Sequence, residues 1–141
     1  MTNQIDPPEQ ESLSVSVFGY ELIRDVLLTD ILGKECEDVL YWAGKSIARK
    51  FPCSSNDELA AFFQEAGWGQ LKLIKDSKKE RIYDLSGPLV ERKLSMQTAP
   101  SFTLESGFLA EQIGTLEQAG AESISEILKK TSSVQLTVKW E

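Results

Sequence analysis

FTLESGFLAEQIGTLEQAGAESI, residues 102–124, is the stretch on which the reading of this chain turns. Placed on a helix at about 100° per residue, Leu109, Ile113 and Leu116 cluster on one side. Gly107 and Gly114 interrupt that helix seven residues apart, although a glycine costs roughly 0.5–1 kcal/mol against alanine in a helix interior. With Ala110 they form a smooth strip, Gly107, Ala110 and Gly114, that lets another backbone come close. Four partners fit such a strip: a second helix, a sheet, a second copy of the chain, or a ligand lying on bare backbone. Whichever it is, the helix is packed rather than solvated, and these three residues are the candidate interface.

Downstream, AESISEILKK and SVQLTVKW flank Thr131 and Ser132 and predict a closing β-hairpin. Val134, Leu136, Val138 and Trp140 alternate with Gln135, Thr137 and Lys139, a period of two. Upstream, QLKLIKD and ERIYDLS alternate around SKK and predict a first hairpin. PLVERKLSM also alternates, Val90, Arg92, Leu94 and Met96 against Leu89, Glu91 and Lys93, and is expected as a further strand.

Three helices precede the strands. VSVFGYELIRDVLLTDILG predicts a helix ending at Leu32, with Gly33 as its cap. In KECEDVLYWAGKSIARKF, Leu40, Ala43, Gly44, Ile47, Ala48 and Phe51 make one apolar stripe, and Pro52 ends it. Its acids, Glu35, Glu37 and Asp38, open the helix and its bases, Lys45, Arg49 and Lys50, close it, as the macrodipole favours. SSNDELAAFFQEAGWG opens with Ser55 and Glu58 at capping-box spacing, and Leu59, Phe62, Phe63 and Ala66 form its inner face. The order of elements gives an α+β fold: an antiparallel sheet of four to five strands with about four helices packed on it. The expected division is a flexible tail over residues 1–13, around Pro7 and Pro8, and one domain over 14–141.

The chain has 141 residues, 41% hydrophobic and 26% charged, which suits a globular domain. With 22 acidic and 15 basic residues it carries a net charge of −7, so nucleic acid is not an expected partner. Lys72, Lys75, Lys78, Lys79 and Arg81 are a local exception that a solvated hairpin rim explains. No apolar run approaches the roughly 20 residues of a membrane span, and the polar start MTNQIDPPEQES does not resemble a signal peptide. Cytoplasmic residence and no integral membrane segment are expected. There is no histidine, which removes the commonest general base and metal ligand. Two cysteines alone do not close a tetrahedral zinc site. Cys36 reads as a small buried hydrophobe and Cys53, after Pro52, as exposed. Glu80, Asp84 and Glu91 are scattered acids with no spacing that ties them to a catalytic site.

The order of motifs resembles that of the 4-vinyl reductase domain and of the small subunits of TRAPP, the Golgi tethering complex. Leu32–Gly33 closes the first helix, Tyr41 to Gly44 gives an aromatic-x-x-glycine element, and Gly67 to Gly69 precedes the sheet. SGFLAEQIGTL is similar to their glycine-rich helix, and ISEILKK to VQLTVKW to their closing hairpin. From about residue 15 to 141 the chain resembles the YslB family of bacilli, of unknown function. The resemblance implies the shared fold, a habit of dimerising, and in some members an apolar cavity between helices and sheet. Sensor members of the 4-vinyl reductase group hold zinc with cysteines near the glycine-rich helix and hairpin. Residues 102–118 and 121–141 contain none, and Glu126 stands alone at the acidic ligand position. The distantly similar haem-based nitric-oxide sensors need an axial histidine. No cofactor is therefore expected.

Two functions follow as expectations. One is a non-enzymatic interaction domain, homodimeric or bound to another protein. The other is a binder or sensor of an apolar small molecule or lipid, with Leu40, Ile47, Phe62, Phe63, Leu109 and Ile113 lining its pocket; the same six residues fit an ordinary core.

Overall fold

The structure, a computed structural model, describes residues 13–97 and 99–141. The expectation of a tail over residues 1–13 therefore falls almost wholly outside the described residues.

The first helix, α1, covers residues 17–32 in three parts: α-helical Val17–Glu21, a π-helical turn Leu22–Leu27, and α-helical Leu28–Leu32. Ser16 Oγ accepts from Gly19 N at 3.0 Å and caps its start. In the wide turn Leu28 N–H reaches back five residues to Ile23 O. Gly33 ends α1 with φ of 62°, and a 3-10 turn, Gly33–Glu35, leads into α2, Cys36–Lys50. The third helix, α3, is Asn56–Glu65. Its expected cap is present with one change of partner. Ser55 Oγ accepts from Glu58 N at 3.1 Å, while the Glu58 carboxylate accepts from Ser54 N at 2.8 Å rather than from Ser55 N.

Four strands make one antiparallel sheet in the order β1-β2-β4-β3. They are β1 Gln70–Ser77, β2 Glu80–Ser86, β3 Ala121–Leu128 and β4 Ser133–Trp140. Tyr83 pairs with Leu136 and Leu85 with Val134, so the apolar residues of β2 and β4 share the core face. Thr137 and Ile124 pair on the other face, where Ile124 is exposed.

PLVERKLSM is not a strand. It forms α4, Pro88–Met96, which corrects the expectation and holds the sheet to four strands. Val90 and Leu94 lie four apart, a spacing that a strand face and a helix face share. The residues before them break the tie. Gly87 turns the chain with φ of 108°, and Pro88 occupies the first helical turn, where its missing N–H is no loss. Glu91 N then donates to Gly87 O at 2.9 Å.

The glycine-rich stretch is α5, Thr103–Glu117, sandwiched between α2 and the sheet. A Cβ at Gly107 would lie 1.9 Å from Tyr41 O, and one at Gly44 2.1 Å from Leu104 O. Each helix therefore presents a glycine to the other's carbonyl oxygen, and both side-chain-free positions are needed. Toward α3, α5 joins an aromatic cluster in which Phe108 stacks on Phe62 at 4.5 Å between centroids and meets Trp68 edge-on at 5.2 Å.

Both cysteine expectations change. Cys53 is buried, because Gln112 accepts from Cys53 N at 2.9 Å and donates to Phe51 O at 2.8 Å, drawing the loop after α2 into the core. Burial pushes its thiol up to about 11. Cys36, by contrast, is only half-buried.

Candidate interaction surface

Helix α1 is built inside out. A surface helix ordinarily turns its apolar stripe inward, yet the one buried side chain of α1 is Arg24, with Tyr20, Leu28 and Leu32 half-buried against the core. Arg24 is 7% exposed and its Nη2 donates to both carboxylate oxygens of Glu105, at 2.8 and 3.0 Å. Its Nη1 donates to Tyr20 Oη at 2.8 Å. Glu105, on the first turn of α5, is 2% exposed. Burial opposes the Arg24 charge, but the carboxylate and phenol beside it more than offset that and hold its pKa above the ordinary value. Burial pushes the Tyr20 phenol up.

Two further ion pairs fasten the helix to α4. Glu21 accepts from Arg92 Nη2 at 3.0 Å, and Asp25 lies 3.7 Å from Lys93 Nζ. Lys93 is pulled below the usual lysine range by burial, against the influence of Glu105, and its ammonium sits 4.5 Å from the Phe102 ring centroid. Beneath α1 lies a small, partly open pocket of about 30 Å³ bordered by Tyr20, Arg24, Lys93 and Glu105, enough for about two waters.

Six apolar residues face outward. Phe18, Leu22 and Val26 form one row at i, i+4, i+8, and Ile23, Leu27 and Ile31 form a second, all exposed. Phe18 is 61% and Ile31 67% exposed, and on α2 Trp42 adds a side chain 61% exposed beside Val39. Residues 17–32 read as a plain apolar helix because nothing local says which face is inside; the partner of Arg24 lies 81 residues away. The signal was a charge, Arg24, set among apolar residues, matched by Glu105 in another apolar helix.

The residues singled out from sequence fall elsewhere. Gly107 and Ala110 are buried and Gly114 half-buried within one chain. For Gly107, contact with a second helix is the alternative that holds. A Cβ at Gly114 would meet Ala119 O at 2.9 Å. Leu40, Phe63, Leu109 and Ile113 are buried and Ile47 and Phe62 pack against them, all in one continuous core. None of the six borders the cavity under α1 or the clefts of about 480, 200 and 290 Å³ elsewhere on the described surface. The lysine cluster lies on the β1–β2 hairpin, with Lys75 3.4 Å from Glu80 and Arg81 2.8 Å from Glu117. Glu80, Asp84 and Glu126 stand on the strands and Glu91 on α4. Among the described residues no three histidine, cysteine or acidic side chains come together as a metal site, and no helix is long and apolar enough to cross a membrane.

A family model described as a protein of unknown function (DUF2507) matches residues 17–139. The uncharacterized protein YslB of Bacillus subtilis (strain 168) is 44% identical over 131 residues, 93% of this chain and 88% of that protein. Among solved structures, a vinyl-4-reductase family protein from Methanocaldococcus jannaschii aligns with a TM-score of 0.70 at 17% identity, covering 93% of this chain and 85% of that one. An Fe(II) unliganded H-NOX protein from K. algicida aligns at 0.55 and 12%, covering 93% and 77%. At such identities the two structures speak for the fold, which is the one the motif order implies.

Proposed function

We propose, from the premise that this chain belongs to the DUF2507 family and shares its fold with the vinyl-4-reductase group, that it is a non-enzymatic interaction domain working as a homodimer, and that two copies meet through the outward face of α1. The observation that carries this is the pair of exposed apolar rows, Phe18–Leu22–Val26 and Ile23–Leu27–Ile31, with Val39 and Trp42 also exposed on α2. Contiguous apolar surface on that scale marks a binding face. Covering eight such side chains removes on the order of 800 Å² per partner, the size of a standard interface.

A second copy suits the patch because a two-fold contact sets the same residues against themselves. Neither row contains a charge, Asp30 standing one turn beyond Val26, and rows spaced by four residues interdigitate as ridges. The polar, acidic residues 1–12 offer little to cover it. An anionic lipid surface is opposed by the net charge of −7. The non-enzymatic part is supported by the ionisable groups under α1, whose charges are matched by ion pairs, and by the lack of any histidine.

Sedimentation velocity tests the reading. The wild-type chain is expected at twice 15.7 kDa, and Ile23→Glu with Val26→Glu at the monomer mass with unchanged far-UV circular dichroism. A wild-type monomer at the highest soluble concentration, or a dimer that survives the double change, overturns it.

A further inference from the structure

The two edges of the sheet are defended differently. β1 carries a bulge between Leu73 and Lys75, and Lys72, Lys75 and Lys78 stand on it or on its turn, the usual protections against stray strand pairing. β3 has none of these. It pairs with β4 in unbroken register from Ala121 opposite Trp140 to Leu128 opposite Ser133, without proline or lysine.

One half of that edge is closed by the chain itself. Ser123 N donates to Tyr41 Oη at 3.1 Å, so α2 covers the start of β3. Period two puts the backbone groups of Ser125 and Ile127 on the same outward side as those of Ser123. Among the described residues no bond from outside the strand ladder reaches them. Burial repeats the division: Ala121 and Ser123 are buried, Ser125 and Ile127 half-buried. A groove of about 480 Å³ opens beside Ile127, walled by Leu94, Ser95, Gln97, Ala99 and Pro100. An unpaired edge next to a groove is how proteins bind extended peptides: the main chain gives affinity and alternate side chains fill the groove.

We propose that the second half of β3 is a strand-addition site for an extended segment of another protein that sets a basic residue beside Glu126. Its main chain pairs with Ser125 and Ile127. Side chains on the helix side enter the groove, where Glu91 and Lys129 offset each other at the rim. Those on the other side lie along the exposed carboxylate of Glu126, so the complement there is positive; Glu122, at the covered end, already accepts from Tyr41 and lies 3.4 Å from Lys45. A second β3 brings its own glutamates toward Glu126, and residues 1–12 contain Asp6, Glu9 and Glu11, so neither is the matching occupant.

The test uses the full chain and an end-blocked heptapeptide of alternating lysine and valine, followed by amide NMR at low salt. Saturable binding is expected, with exchange of the Ser125 and Ile127 amides slowed about tenfold or more and that of Ser123 unchanged. A peptide of alternating lysine and proline has the same charge but no strand donors, and is expected to bind at least about tenfold more weakly, about 1.4 kcal/mol. Glu126→Lys, on the surface, is expected to weaken the lysine–valine peptide by a similar factor, and Ser125→Pro to abolish its effect on Ile127. Equal binding of the two peptides, no saturable binding, or unprotected Ser125 and Ile127 amides at saturation overturns the proposal.

Discussion

Helices α1 and α5 are of similar length and solve opposite problems. α5 is buried without a break from Leu104 to Ala110 and meets α2 backbone to backbone. α1 buries Arg24 and leaves its apolar rows in solvent, while Tyr20, Leu28 and Leu32 pack half-buried against the core and ion pairs fasten the helix beside them. The difference shows what each helix is for in physical terms. A helix that fastens layers together needs small residues, because close approach multiplies weak dispersion contacts. A helix that presents a surface needs a hold that leaves the surface free, and a buried, charge-assisted ion pair is such a hold.

The comparison breaks first at the glycines. Gly107→Leu is expected to yield no folded chain, since even its Cβ meets a backbone oxygen at 1.9 Å. Gly120→Ala, where nothing lies within 4 Å of the added carbon, is expected to change stability by no more than about 0.5 kcal/mol. Urea unfolding of the pair checks both, and a stable Gly107→Leu removes the close-packed description of α5.

Next in size is the hold on α1. Arg24→Met strands Glu105 at 2% exposure and is expected to cost about 3–5 kcal/mol. Adding Glu105→Leu is expected to restore most of it, because an apolar pair of similar volume replaces a buried ionic one at little cost. A double-mutant cycle by denaturant midpoint measures the coupling; additive losses would mean that the two side chains do not depend on each other.

A smaller effect sharpens the same division through pH. Burial pushes the phenols of Tyr41 and Tyr83 up to about 12 from an ordinary value of 10.0. Between these values the unfolded chain releases protons that the folded chain keeps. Their contribution is therefore whole below about pH 10 and lost as the pH climbs through 12. Lys93 has the opposite sign: its lowered pKa makes stability rise with pH up to 10.5. Thermal melts from pH 9 to 12 are expected to fall at the upper end, with a shallower fall in Tyr83→Phe. A thiol assay closes the series. With Cys53 buried and its pKa near 11, Cys36 is expected to react with an aromatic disulfide first, and both only after unfolding.

Much of the fold was legible because local chemistry and long-range packing agree. Val134 to Trp140 alternate in sequence and in burial, and the α2 stripe and the Ser55 cap point where the structure goes. Legibility failed where one spacing serves two structures, as with Val90 and Leu94 in α4, or where the deciding partner is distant. The burial of Cys53 depends on Gln112, 59 residues on, and the inversion of α1 on Glu105. The sequence shows that the glycine strip is smooth; which of four partners fills it is a property of the folded chain.

Tyr41 has a consequence of its own. Its carbonyl oxygen abuts Gly107 and its hydroxyl holds Ser123 N and donates to Glu122, while the next residue, Trp42, stands in solvent. One side chain thus works as a strut between the outside of α2 and the rim of the sheet. Sliding or rotating α2 withdraws that hydroxyl and uncovers the Ser123 amide, so the length of unpaired rim is a gauge of where α2 sits.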